Sequence, residues 1–256
     1  MIYSRFIILG LIIVFFHGIY CMNPFESADS SNFYDPEQIY KLTPQEDEEA
    51  ELIALFLSGE IVALQALYNR VHNDLAAIRS QYGDDFPSIR QISFRPPWVP
   101  GSIIIGFNKS TAEKIKNGEY HAWDELNNKY KVTEMDTIYF LSGSAAVAIH
   151  CKGRLHPLRL MEVYRNLPGK TYIEPNGYVG DSSNIYSRQT QNGITYLFRH
   201  GWGDCPAGCI YSEYWYFSFD GENPQFIGNW KPHESSTQPP WWDDAKKNRE
   251  LYYKSW

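Results

Sequence analysis

An α+β fold is predicted for this 256-residue chain: an N-terminal helical pair, a central ferredoxin-like βαββαβ module, and a C-terminal antiparallel aromatic β-hairpin or small sheet. Three observations carry that expectation. Apolar residues between Ile61 and Ile78 recur at steps of three and four, the spacing of one helix face. Segments between Ser102 and Val179 switch in turn between strand-like and helix-like patterns. The stretch Ile210 to Phe219 is dense in aromatics and flanked by turn residues, as strands are.

Residues 1–21 read as an export signal, because Arg5 precedes the apolar run Phe6 to Phe16 and cleavage is expected between Gly18 and Cys21. The run is too short to cross a bilayer comfortably, so a membrane is expected as a partner only through an uncleaved N-terminal segment. Residues 22–42 are polar with scattered aromatics and read as an exposed leader. The net charge of -7 and the lack of a basic run exclude a nonspecific nucleic-acid binder.

Residues 43–95 form the helical hairpin. Thr43 is the expected N-cap, with Pro44 at the first helical position and Glu46 three residues after the cap. The acidic run Glu46-Asp47-Glu48-Glu49 suits a helix N-terminus through the dipole. Ser58-Gly59 ends the first helix, and a second is expected from Glu60 to Tyr82. Its stripe of Ile61, Leu64, Leu67, Val71, Leu75 and Ile78 faces the core, leaving Asn69, Arg70, Asn73, Asp74 and Arg79 to solvent. Pro96-Pro97-Trp98-Val99-Pro100 is a stiff connection and the clearest internal boundary.

The central module, residues 99–180, opens with a strand from Ser102 to Phe107. One helix then carries Ala112, Ile115, Trp123 and Leu126 on its buried face. Strands Val132 to Phe140 and Ala145 to His150 are joined by the turn Leu141-Ser142-Gly143-Ser144. A helix from His156 to Leu167 stops at Pro168-Gly169, and Thr171 to Val179 is the fourth strand. This order is the split βαβ arrangement.

Gly180 to Asn184 is a turn-rich connection into the region 185–232, where Ile194 to His200 and Ile210 to Phe219 pair across a cysteine turn, with Phe226 to Trp230 as a third strand. Both alternating faces of Tyr214 to Phe219 are aromatic, which predicts burial on two sides or, alternatively, an exposed aromatic surface. The tail, 233–256, holds a short helix from Asp243 to Tyr253; Trp241, Trp242, Leu251, Tyr252 and Trp256 fasten it to the body or face carbohydrate or lipid headgroups.

Four cysteines are present, at 21, 151, 205 and 209. In an exported chain Cys205 and Cys209 read first as a short disulfide, worth about 1–2 kcal/mol in chain entropy; the rival reading is a metal site with His200. Cys151 reads as a buried free thiol. No cofactor is expected. His150, His156 and His200 lack metal spacing, Ser142-Gly143-Ser144 fits a turn better than a nucleophile elbow, and Asp124-Glu125 and Glu134 with Asp136 read as solvated carboxylates.

The opening Val99-Pro100-Gly101 and the closing Leu167-Pro168-Gly169-Lys170-Thr171-Tyr172-Ile173-Glu174-Pro175-Asn176 resemble the intramolecular-chaperone propeptide of subtilisin-like proteases. No Asp-Ser-Gly, His-Gly-Thr or Gly-Thr-Ser-Met-Ala segment follows, so the nucleophile and base of such a protease are missing from the sequence. The element Gly203-Asp204-Cys205-Pro206-Ala207-Gly208-Cys209-Ile210 is similar to one in uncharacterised exported bacterial proteins. The propeptide resemblance implies that the sheet face packs on a subtilisin-like protease, with Glu174, Pro175, Asn176 and Tyr178 reaching its cleft by strand-like pairing. The expected function is that of an exported non-enzymatic binding protein with a protease-binding or inhibitory module. The alternatives are an envelope or secreted structural protein with no protease partner, and an exported hydrolase using His200, Asp204 and a cysteine.

Overall fold

The computed structural model describes residues 47–254; the stretches expected to be an export signal, a leader and the Thr43-Pro44 helix start lie outside the described residues. Among the described residues no helix is long and apolar enough to cross a membrane. The architecture is α+β, with N-terminal helices and two four-stranded antiparallel sheets.

Helix α1, Glu48–Ser58, is capped by Asp47, whose Oδ1 accepts from the Ala50 amide at 3.1 Å. The helix thus starts four residues after Thr43, at a residue whose carboxylate satisfies an otherwise unpaired amide, an arrangement worth about 1 kcal/mol. The acidic turn does more than complement the dipole. Glu49 grips the Arg79 guanidinium at 2.7 and 3.0 Å and accepts from the Phe94 amide, and Glu51 pairs with Arg154 at 2.5 Å.

Helix α2, Gln65–Tyr82, begins five residues later than the periodicity predicts. Gly59 takes the left-handed conformation that ends α1, and Ile61, Val62 and Ala63 are then buried in a bent connection, with the Ile61 carbonyl accepting from the His156 amide at 2.9 Å. Val71, Leu75 and Ile78 form the buried stripe. Asp74 belongs to it too: it is fully buried, correcting its assignment to solvent. Lying three residues from Val71 and four from Ile78, it shares their face, and its oxygens accept from the Tyr196 hydroxyl at 2.9 Å and from Arg70 Nε at 2.7 Å.

The first sheet contains β1, Trp98–Phe107; β2, Val132–Tyr139; β3, Ala145–Cys151; and β4, Lys170–Gly177. Their order is β2-β3-β1-β4, every neighbour antiparallel, which is the ferredoxin-like arrangement. The expected single helix after β1 is two, α3, Lys109–Lys116, and α4, Asp124–Lys129, because the chain breaks at Asn117-Gly118. Of the expected face, Ala112 and Trp123 are buried while Ile115 and Leu126 are half-buried; Tyr120 and Trp123, between the two helices, set their rings 5.3 and 5.6 Å from Phe107. Helix α5, Pro157–Tyr164, lies on the same side, where the Tyr164 hydroxyl donates to Asn127 Oδ1 at 3.1 Å. The half-buried Cys151 remains a free thiol, its pKa pushed up to about 12 by burial.

The second sheet is a meander of β5, Asn184–Thr190; β6, Gly193–Trp202; β7, Tyr211–Phe219; and β8, Pro224–Trp230, in that order. It has one strand more than expected, β5. Helices cover both faces. Trp215 and Phe217 point to the N-terminal helices, meeting Phe86 and Tyr82 at 6.4 and 5.3 Å. Tyr214 and Tyr216 point to α6, Trp242–Lys254, and its approach, meeting Trp242 and Trp241 at 4.9 and 5.7 Å. This two-sided burial explains the aromatic density of β7.

One apolar core joins α1, α2, Ile89 to Trp98, the second sheet and α6. The ferredoxin-like module leaves and rejoins it at one place, since Trp98 at the start of β1 pairs with Gly177 at the end of β4.

Candidate binding surface

Strand alternation gives the first sheet two unlike faces. Ile103, Ile105, Phe107, Val147 and Ile149 point to the module's helices and are buried. The opposite face is built from transverse rows set by register. In the row nearest the β2–β3 turn, Ile138 pairs with Ala146, Ala146 with Gly106, and Gly106 with Tyr172. Two small residues therefore lie between two large ones, Ile138 at 63% and Tyr172 at 41% exposure. The Tyr172 ring lies directly over Gly106, where an added Cβ would come within 2.0 Å of it and displace it. The next row is Asp136, Ala148, Ile104 and Glu174. The third carries Glu134, His150 and Ser102, with Asn176 Nδ2 donating to Ser102 Oγ at 3.0 Å. Beyond Ile138 the ribbon continues into Tyr139, Phe140 and Leu141, all exposed. The surface thus grades from an apolar tip to an acidic and polar end.

The residues singled out from sequence for protease contact fall along the edge of this face. Glu174, Pro175 and Asn176 lie within β4, an edge strand, with Glu174 paired to Ile104 and Pro175 to Ile103. Proline is tolerated there because an edge strand has one side free of ladder bonds. Tyr178 follows the strand; its amide donates to the Pro97 carbonyl at 3.4 Å and its ring sits 5.2 Å from the Arg95 guanidinium carbon. Val179, next in the chain, is 93% exposed. Ile138, Gly106 and Tyr172 were missed from sequence, since only the register brings them side by side.

After Gly180 the chain is held again. Asp181 accepts from the guanidinium of Arg199 at 2.5 and 2.7 Å and from the Cys209 amide at 3.1 Å, while its own amide donates to the Cys205 carbonyl at 3.0 Å. Burial alone would raise the Asp181 carboxyl, but the hydrogen bonds and charge of Arg199, with the amides of Ser182 and Cys209, hold it below the usual range. Cys205 and Cys209 are joined in a disulfide that closes the β6–β7 turn.

The groups proposed for a hydrolase do not converge on a nucleophile. The sulfurs of Cys205 and Cys209 are bonded to each other, Asp204 is exposed, and the half-buried His200 sets its ring 5.2 Å from that of Trp202. Among the described residues no group of three or more His, Cys, Asp or Glu side chains is placed to hold a metal ion.

No protein-family model, curated protein or solved structure matches this chain.

Proposed function

We propose that this chain is an exported, non-enzymatic binding protein whose ferredoxin-like module docks on a subtilisin-like protease through the helix-free face of its first sheet. The observation that carries the reading is the row Ile138, Ala146, Gly106, Tyr172, a shallow trough between two exposed large side chains that runs on into the apolar Tyr139-Phe140-Leu141 tip. Contiguous exposed apolar surface of this kind marks interaction sites. The propeptide resemblance supplies the partner class, and the disulfide together with the N-terminal apolar run supports export.

The test is inhibition of several subtilisin-like proteases by residues 22–256, comparing wild type with Ile138→Asp and with Leu141→Asp. Both side chains are exposed, so folding should be retained and checked by circular dichroism. The expected result is slowed proteolysis that either substitution relieves by tenfold or more, the scale of losing one well-buried apolar anchor. Absence of inhibition by folded protein, or inhibition indifferent to both changes, refutes the proposal.

A second reading, a secreted or envelope structural protein with no protease partner, is favoured by one observation. The strand exit is no free tail: Asp181 ties it to the disulfide turn and to Arg199 only four residues after Gly177.

A further inference from the structure

Helix α6 packs on β5 and β6 and leaves the far part of the second sheet's face open, forming a cleft of about 520 Å³. Strand register lays a polar row across its floor. Arg188 on β5 pairs with Thr195 on β6, Thr195 with Ser218 on β7, and Ser218 with Gln225 on β8. Neighbouring strands are about 4.8 Å apart, so the row extends about 14 Å. Elsewhere on this face the same strands carry Leu197, Tyr214 and Tyr216, buried beneath α6 and the tryptophans before it. The change from aromatic to hydroxyl and amide side chains coincides with the edge of the helical cover.

The charges on the α6 side of the cleft are paired. Arg188 donates to Asp244 at 2.8 Å and to Asn248 at 2.9 Å, and the other Asp244 oxygen accepts from the Tyr216 hydroxyl at 2.5 Å. The opening is lined by the Ser218 hydroxyl, the exposed Gln225 amide, Asn192 from the β5–β6 turn and the exposed carboxylate of Asp220, with Ile227 as an exposed apolar neighbour. An apolar ligand would strip water from these hydroxyl and amide groups without replacing it, leaving each of them unpaired. An anionic ligand would meet the Asp220 carboxylate and no unpaired positive charge, since Arg188 is held by Asp244. Hydroxyl-rich rings with apolar C–H faces satisfy both kinds of lining, and the volume lies within the roughly 300–1,000 Å³ of small-ligand sites.

We propose that this cleft binds a neutral saccharide of one or two pyranose rings. The site is on the second sheet and is independent of protease binding by the first. Saturation-transfer NMR and calorimetry on residues 22–256 with cellobiose, N,N′-diacetylchitobiose, maltose and lactose provide the test, with citrate as the anionic control. At least one disaccharide should bind. Gln225→Ala, at an exposed position that leaves the fold intact, should weaken binding up to about tenfold, the loss of one or two hydrogen bonds. Ser218→Tyr, which fills the floor, should abolish it, with an unchanged melting curve as the folding control. Absence of transfer from all four sugars to folded protein, affinity unaltered by Gln225→Ala, or tighter binding of citrate overturns the proposal.

Discussion

Asp181 and Arg199 meet in a two-point ion pair, and the pair fastens the exit of one sheet to the interior of the other. Arg199 is 3% exposed and also donates to Ser212 Oγ and the Ser182 carbonyl, so its guanidinium has lost most of its water and relies on these partners. Asp181 in turn holds the amide of Cys209, which makes the disulfide turn part of the same knot.

Asp181→Ala should therefore destabilise the protein by about 3–5 kcal/mol, the cost of leaving a buried charge unpaired. Adding Arg199→Met should recover much of that loss. Urea denaturation of the two variants decides it; a double variant no more stable than the single one would show that the knot matters through the Cys209 amide instead.

Acid should weaken the fold through His156. Burial, assisted by the nearby Arg159 charge, pushes its pKa down from 6.5 to about 4, and its ring is packed 4.7 Å from that of Trp98. Between those values the unfolded chain takes up a proton that the folded chain refuses, so lowering the pH favours unfolding. Its contribution is complete above pH 6.5, declines through the window and is lost near pH 4, on the order of 3 kcal/mol in all. His156→Phe should flatten the stability profile between pH 6.5 and 5, where ordinary carboxylates remain ionised; an unchanged slope would exclude His156 as its source.

Cys151 should resist alkylation. A thiol raised from 9.0 to about 12 has about a thousandth of the usual thiolate at neutral pH, and the thiolate is the reactive form. Iodoacetamide should label Cys151 in native protein far more slowly than in urea, and non-reduced peptide mapping should find Cys205 linked to Cys209. A native rate equal to the unfolded rate would contradict its burial.

Gly106→Val should push the Tyr172 ring off the sheet and cost about 1–3 kcal/mol by overpacking. Tyr172→Ala in the same chain should relieve it, since the three atoms nearest to an added Cβ all belong to that ring. Thermal melts of the single and double variants test the coupling.

The order of the central module was legible because β1 and β3 are apolar on the buried side, and Gly or Pro marks the β2–β3 turn and the stop after α5. The strand β5 was not. Asn184-Ile185-Tyr186-Ser187-Arg188-Gln189-Thr190 reads as polar, and three of its polar groups find distant partners: Asn184 in Arg95, Arg188 in Asp244 and Asn248, and the Tyr186 carbonyl in Asn248. Asp74 escaped for the same reason, as its hydroxyl partner Tyr196 lies 122 residues away. On the candidate surface, Glu174, Pro175, Asn176 and Tyr178 came from a local motif, whereas the Ile138–Tyr172 row depends on three strand registers and is invisible to any local pattern.

The adjacency of Trp98 and Gly177 sets an order of assembly. A chain emerging from a ribosome or an export channel presents α1 and α2 first, yet the sheet that covers Val71, Leu75 and Ile78 is not available until β8 and α6 have followed. The inserted module is complete at residue 177 and can close on itself while the helices wait. During that interval their apolar stripe stays uncovered, the period in which a nascent domain is most prone to aggregate. The two segments of the larger core must then find each other across the inserted module, so the slowest contacts to form are those between the two ends of the protein.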